Sequence, residues 1–399
     1  VRSAESPRIP LKYLPRVILF LAVPALLFVF PWWTLVAAPS GGTGALFALG
    51  TAACVLGALA LPAAMVLGHG PRQSDAAALL GDTLLGVAWV FFTWSALGAV
   101  VNVALGAAGI AGHAGSVALA VLVIASALIC YGLAEAARVP RVRTREVPIA
   151  GLGRGLDGVR LVVITDTHFD ARNRVRWSRR VVELINAQQP DIVCHAGDLA
   201  DGSVERRHPQ VDPLEKVAAP LGRFYITGNH EYFGDAAGWI AHMSSLGWQP
   251  LRNAHEVLTR AGDSLVLAGI DDPTGVVLPG HGPDLRAALD GADPALPVVL
   301  LAHQPRQVAD AAAAGVALQI SGHTHGGQIW PFHYLVRLEQ PVVAGLSRHG
   351  EHTWLYTSRG TGYWGPPLRV FAPSEITVLV LRTHPAVTPR RAPRPPAAR

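Results

Sequence analysis

Several polar residues in the C-terminal two thirds of this 399-residue chain stand where they could hold metal ions. Asp166 and His168 follow the run 160–165, Asp198 follows 191–195, and Asn229, His230 and Glu231 follow 223–227. His303 comes after 298–302, and His323 and His325 come after 316–320. Short, mainly aliphatic runs of this kind, bounded by Gly or Pro, read as buried strands. Helical spacing over 177–188, stopped by Pro190, separates the first two runs. Strand after strand therefore ends on a polar residue, and the carboxyl ends of strands are where α/β sheets place their sites. Neutral imidazoles with carboxylates are the mixed ligand set of Mn, Fe, Zn or Co, not the oxygen cage of Ca. Two His and one Asp suffice for a mononuclear site. Six or seven such ligands, with one carboxylate able to bridge, make two.

The sequence D-T-H (166–168), G-D (197–198), G-N-H-E (228–231), A-H-Q-P (302–305) and G-H-T-H-G-G-Q (322–328) resembles the motif series of the calcineurin-like metallophosphoesterase superfamily. Ser358-Arg359-Gly360, Gly365-Pro366-Pro367-Leu368-Arg369 and Pro373-Ser374-Glu375-Ile376 resemble its membrane-associated bacterial branch, and the likeness covers about residues 146–383. It implies an α/β four-layer (αββα) sandwich and two divalent metal ions. It implies Asp166, His168, Asp198 and His325 on one metal, and Asp198, Asn229, His303 and His323 on the other, with Asp198 bridging. His230 would stand beside the scissile phosphate and protonate the leaving oxygen or stabilise charge, and Glu231 would orient His230 or a nearby His. The chemistry agrees: two metals about 4 Å apart acidify a water, clamp phosphate oxygens and neutralise the pentacoordinate state. A His donor suits neutral pH, and the amide oxygen of Asn229 adds no negative charge beside an anionic substrate. The expected reaction is hydrolysis of a phosphoester or pyrophosphate by metal-bound hydroxide.

The N-terminal third must serve another purpose. No Asp, Glu, Lys or Arg occurs between Arg16 and Arg72 or between Asp82 and Glu135. Each gap has room for two spans of about 20 apolar residues. Gly41-Gly42 divides the first gap and the stretch 106–115 the second, so four transmembrane helices are expected near 17–38, 44–68, 83–105 and 116–137. Trp32 and Trp33 suit an interfacial belt. A cleaved signal peptide does not fit the long first span or the second span directly after it. Arg2, Arg8, Lys12 and Arg16 precede the first helix, Arg72 lies in the middle loop, and Arg138, Arg141, Arg143 and Arg145 follow the fourth. All fall on one side, which predicts cytoplasmic termini, a cytoplasmic catalytic domain and a multi-pass protein of the cell membrane. Asn102 reads as a single polar helix contact. The expected organisation is an anchor over 1–138, a basic linker over 139–150, the metallophosphoesterase domain over 151–383, and a disordered Pro/Arg-rich tail over 384–399.

Composition narrows the partners. The chain is 50% hydrophobic and only 15% charged, which excludes intrinsic disorder. Its net +5 is unevenly held: residues 1–150 carry nine basic and five acidic residues, 151–383 carry 20 and 23, and 384–399 carry four and none. The catalytic segment is mildly acidic, so no nucleic-acid partner is expected. The bilayer and a phosphorylated substrate are the expected partners, with a phospholipid or lipid-linked diphosphate favoured. A soluble phosphodiester such as a cyclic nucleotide is the alternative, and a non-catalytic membrane sensor is a weaker one. Arg172 and Arg174, with Arg176, Arg179 and Arg180, could grip a second phosphate, although a solvated helix face explains them as well. Gly360-Thr361-Gly362-Tyr363-Trp364-Gly365 matches a dinucleotide fingerprint, but Pro366-Pro367 forbids the helix it must open. Tyr363 and Trp364 could line the cleft. No G-x-S-x-G motif occurs, and Cys194 lies within a strand, so a Ser or Cys nucleophile has no support. His195 reads as a core histidine.

Overall fold

The computed structural model describes residues 14–172 and 174–384. The basic residues Arg2, Arg8 and Lys12, and the tail beyond His384, lie outside them. The described chain forms two compact units. One holds the chain up to Arg138 together with Gly327–His333 and Tyr363–Pro373. The other holds Val139–Gly326, Tyr334–Gly362 and the chain from Ser374.

In the first unit, four stretches are long and apolar enough to cross a membrane: Ala22–Ser40, Gly44–His69, Asp75–Ala107 and Ala114–Ala137. The first helix passes through a π turn at Trp33–Ala37 and stops at Gly41 and Gly42, whose φ values of 62° and 80° favour glycine. The third helix starts at Asp75, earlier than the charge-free gap suggested, with the Ser74 hydroxyl accepting from Ala77 N–H as its cap. Asp82 is thereby taken into the helix, where its carboxylate meets His69 Nε2 at 2.9 Å. Asn102 makes no polar helix contact: neither amide atom finds a hydrogen-bond partner among the described residues.

The segments 327–333 and 363–373 pack on the third and fourth helices. Ile329, Leu368 and Val370 are buried with Val90 and Ala125, and Trp330 stacks near Trp94 with ring centroids 6.0 Å apart. Gly86 makes this possible, since a Cβ there would lie 2.7 Å from Leu368 and 2.8 Å from Pro366. Replacing Gly86 by Val should lower the unfolding free energy in detergent by about 1–3 kcal/mol, the usual cost of overpacking. Unchanged thermal unfolding would contradict that packing. Tyr363 is buried and Trp364 is half-exposed, and both are grouped with the helical unit. The stretch 360–365 is a loop, as the prolines require.

The second unit is built on two six-stranded sheets. Its strands are β1 (Arg141–Ala150), β2 (Arg160–Ile164), β3 (Ile192–Ala196), β4 (Arg223–Ile226), β5 (Gln249–Pro250), β6 (Ala254–Arg260), β7 (Asp263–Gly269), β8 (Val298–Leu301), β9 (Leu318–Ser321), β10 (Gly345–His349), β11 (Thr353–Thr357) and β12 (Glu375–His384). One sheet runs β1-β12-β2-β3-β4-β5 and the other β10-β11-β9-β8-β7-β6. The expected basic linker is instead the edge strand β1, paired in parallel with β12 from Arg141↔Glu375 to Ala150↔His384. Its run of charges fits that position, since Arg143, Thr144, Arg145 and Glu146 are exposed, as edge strands commonly are.

Alternation along the strands creates the layers. Leu161 and Val163 of β2 face the other sheet, joining Leu267, Leu301 and Ile320. Val162 and Ile164 face outward onto Val181, Ile185, Trp239 and Met243 of the covering helices. The second sheet is covered likewise, with Val266, Ala268 and Leu300 on Ala288 and Ala311. This is the expected αββα sandwich. Sheets buried on both faces need continuous apolar runs, which is why these strands were visible in the sequence.

Candidate metal centre

The central strands of both sheets deliver polar residues to one place. Asp166 and His168 leave β2, Asp198 leaves β3, Asn229 and His230 leave β4, His303 leaves β8, and His323 and His325 leave β9. Three sets of ligand atoms each lie within 4.8 Å of one another: Asp166/His168/His325, His168/Asp198/His230, and Asp198/His303/His323. The first and third fall within the two ligand sets that the motif resemblance implies. His168 Nε2 approaches Asp198 Oδ2 at 3.6 Å and His325 Nε2 at 3.1 Å, while His303 Nε2 is 3.1 Å from Asp198 Oδ2. Asn229 Oδ1 lies 2.8 Å from His323 Nδ1. Seven candidate ligands therefore converge, with Asp198 shared between the groups.

The backbone is bent to make this possible. Asp166, His168, Asp198, His323 and His325 all have φ between 40° and 69°, a region that costs a non-glycine residue energy and that clusters at functional sites. The carboxylates are pinned from behind, Asp166 Oδ1 accepting from His323 N–H at 2.9 Å and Asp198 Oδ1 from His230 N–H at 2.8 Å. Glycines precede the ligands for the same reason: a Cβ on Gly228 would sit 2.2 Å from Asp198 Oδ1, and one on Gly322 2.2 Å from Asp166 Oδ2.

Divalent cations suit this arrangement. Asp166 Oδ2 is buried with no hydrogen-bond partner among the described residues, whereas buried polar groups are normally satisfied, and His303 Nε2 faces the Asp198 carboxylate. Burial pushes the Asp166 carboxyl up, and the Asp198 charge adds to the rise, against the opposing pull of His303 and His168. Burial would lower the His303 imidazole, but Asp198 and Asp166 overcome it and hold the group well above its ordinary value. Burial and the His303 charge bring His323 down to about 3, the neutral state a ligand needs. The tautomers are set from behind, with His303 Nδ1 donating to Ala196 O at 2.7 Å and His168 Nδ1 meeting Asp201 Oδ1 at 3.2 Å.

Asp201 was not singled out in the sequence, although it lies three residues past Asp198 in the same strand-end loop. The same Oδ1 meets His230 Nδ1 at 2.6 Å, so one carboxylate aligns two imidazoles. Burial alone would raise its carboxyl, yet His168 and His230 hold it well below the carboxylate range. Asp201→Asn should lower metal affinity or turnover about 10–100-fold, the usual cost of losing such an orienting partner. Equal metal content and activity in the variant would exclude the role.

Three other expectations change. Glu231 orients no histidine: its buried carboxylate accepts from Gly228, Asp198 and Leu199 N–H at 2.5, 3.1 and 2.7 Å, tying the loops after β3 and β4 together. Burial, then the Asp198 charge, push its pKa up to about 7 against those donors. Arg174 is buried with its guanidinium turned inward, donating to the carbonyls of Thr167 and His168 and lying over Trp177, 4.8 Å from the ring centroid. In this position it braces the D-T-H loop. Arg172 is exposed, and its backbone N–H donates to Asp170 Oδ1. His195 is a core histidine beneath the site, 3.1 Å from Thr167 Oγ1 and brought down to about 3 by burial. Burial pushes the Cys194 thiol up, which disarms it as a nucleophile.

A family model for calcineurin-like phosphoesterases matches residues 159–327. A zebrafish transmembrane protein with a metallophosphoesterase domain is 39% identical over 269 residues, covering 65% of this chain and 62% of its own length. An uncharacterized metallophosphoesterase of Campylobacter jejuni is 34% identical, covering 66% of this chain and 69% of itself. One from Bacillus subtilis is 31% identical, covering 63% and 90%. The chain spans little more than three fifths of the length of its zebrafish and bovine relatives, at 62% and 63%. With its motif residues gathered at the strand ends and relatives matched over most of their length, the chain belongs to the calcineurin-like metallophosphoesterase family.

Proposed function

We propose that this protein is a membrane-anchored hydrolase that cleaves a phosphoester or pyrophosphate bond at a centre of two divalent cations, with lipid or lipid-linked phosphates as the favoured substrates. The observation that carries the reading is the convergence of seven candidate ligands, one of them, Asp166, with an orphaned buried oxygen, around the shared carboxylate of Asp198. Asp166, His168, Asp198 and His325 would hold one cation, and Asp198, Asn229, His303 and His323 the other. Mn, Fe, Zn or Co all suit this donor set. When bound, such ions supply an activated water and positive charge for the phosphate oxygens.

The chain's own residues do the rest. His230 keeps 14% of its side chain exposed, unlike the closed-in His168 and His303, so it faces the side from which substrate arrives. Asp201 engages its Nδ1, which assigns Nε2 as the nitrogen that hands a proton to the leaving oxygen. Asp201 and Asp198 lift the imidazole to about 9 against the opposing effect of burial, so it carries that proton at neutral pH. The membrane helices favour a substrate presented at the bilayer surface. The test is the full chain, purified in detergent with Mn²⁺, assayed on aryl phosphate monoesters, soluble phosphodiesters and lipid pyrophosphates. Metal-dependent cleavage of the lipid substrates supports the whole reading. Cleavage of soluble diesters alone assigns a soluble substrate, and no metal-dependent cleavage of any of them rejects the enzyme.

The charge pattern of the helix flanks supports cytoplasmic termini and a cytoplasmic catalytic unit in the cell membrane. Protease added to sealed spheroplasts should therefore leave the catalytic unit intact. Its cleavage from outside would reverse the topology.

A further inference from the structure

The helical unit contains more than helices. Its third helix, Asp75–Ala107, has 33 residues, or about 50 Å at the usual rise. A hydrocarbon core of about 30 Å accounts for only about 20 of them. Counted back from Ala107, those 20 reach Ala88, so Trp89 and Trp94 fall inside, and a shift of one turn either way keeps Trp94 there. Asp82, whose carboxylate pairs with His69, falls outside, as an ionisable side chain should. The fourth helix, Ala114–Ala137, runs back the other way, and the same count from Ala114 includes Ala125 and Gly132. The segments 327–333 and 363–373 pack on these residues and on Gly86, two positions beyond that window. Trp330 meets Trp94, Trp89 Nε1 donates to Ile329 O at 3.3 Å, and Arg369 N–H donates to Gly132 O at 3.0 Å.

We propose that residues 327–333 and 363–373 form a re-entrant wedge that enters the bilayer at the boundary of headgroups and acyl chains, held against the third and fourth helices. The occupant of its outer face is the lipid itself. Two independent features agree with that placement. Phe332, Trp364 and Phe371 are 38%, 48% and 59% exposed, as aromatic side chains of an interfacial belt would be. Much of the irregular backbone is also hydrogen-bonded internally, as a medium without water favours. Trp330 N–H donates to Val370 O at 3.1 Å, Val370 N–H to Gln328 O at 2.9 Å, and Trp364 N–H to the Gln328 side-chain oxygen at 2.9 Å. Gln328 Nε2 donates in turn to Trp364 O and Pro366 O, and Pro331, Pro366, Pro367 and Pro373 have no N–H to satisfy. Gln328 closes the G-H-T-H-G-G-Q motif, so in sequence the wedge begins directly after the loop bearing His323 and His325. The proposal rests on the helices being membrane spans and not on the hydrolase reading.

The test uses the unmodified full chain in phosphatidylcholine/phosphatidylglycerol liposomes, footprinted with hydroxyl radicals. Phe371 and Phe233 are 59% and 69% exposed, so in water they would oxidise alike. If lipid covers the wedge, Phe371 should oxidise at least about fivefold more slowly than Phe233. Equal rates would overturn the proposal. A second measurement separates its failure from failure of the spans. Cysteines introduced one at a time at Phe371, Val276 and Val103, in a Cys54→Ala/Cys130→Ala chain whose remaining Cys194 is fully buried, carry a fluorophore quenched by doxyl-labelled lipid or by aqueous iodide. Lipid quenching at 103 and 371 with iodide quenching at 276 supports the wedge. Lipid quenching at 103 alone rejects the wedge but keeps the spans, and iodide quenching at all three rejects both.

Discussion

Asp198→Asn should lower hydrolysis by about 10³-fold or more, since metal ions supply several kcal/mol of transition-state stabilisation and each 1.36 kcal/mol is a factor of ten. The reason is local. Asp198 is the one carboxylate in both the His168 and the His303 groups, and its Oδ2 lies 3.6 Å from one imidazole and 3.1 Å from the other. An amide can offer one neutral oxygen, which leaves the site with one negative charge fewer and no symmetric bridge. Metal content, measured by elemental analysis after gel filtration, should fall together with turnover. The fold should survive, because Oδ1 accepts only the His230 N–H and the amide oxygen can do the same. Full metal content with lost activity would mean that Asp198 acts on the substrate and not as a bridge.

The second large effect is expected at His230. Its alanine variant should lose about 10²–10⁴-fold in turnover, the range for removing a positioned general acid. Metal content should stay near normal, because seven other side chains make up the two candidate ligand sets. The loss should also depend on the leaving group. An alkoxide needs the proton, whereas a nitrophenolate leaves with little help, so nitrophenyl esters should retain far more activity than alkyl esters. An equal loss on both classes would remove His230 from proton transfer and return it to the ligand group it forms with His168 and Asp198. Asp201→Asn offers a check, because it disturbs His230 and His168 through one carboxylate oxygen.

How much of this could be read in advance depended on the range of the interaction. The strands β2, β3, β4, β8 and β9 were legible because burial on both faces forces continuous apolar runs, and the residues after them were legible because a strand end is a local event. β1 and β12 were not, since their pairing joins Arg141 to Glu375 across most of the chain. Nothing local distinguishes a charged edge strand from a charged linker. Arg174 illustrates a different failure. Its place after the D-T-H loop suggested a phosphate grip, but side-chain direction decides between gripping and bracing, and the neighbouring Trp177 and the Thr167 carbonyl turn it inward. Glu231 was recognised as important, yet the backbone N–H groups of two loops claimed it before any histidine could.

The sequence by itself determined which chemical groups are present, the family they belong to, and that four stretches are apolar enough to span a membrane. Those are properties of composition and short spacing, carried by each segment alone. Only the tertiary structure decided that Asp201 serves two imidazoles, that Asp82 enters a helix beside His69, and that 327–333 and 363–373 belong with the apolar helices. Each of these depends on residues distant in sequence meeting in space, where geometry and burial, not residue type, assign the partner.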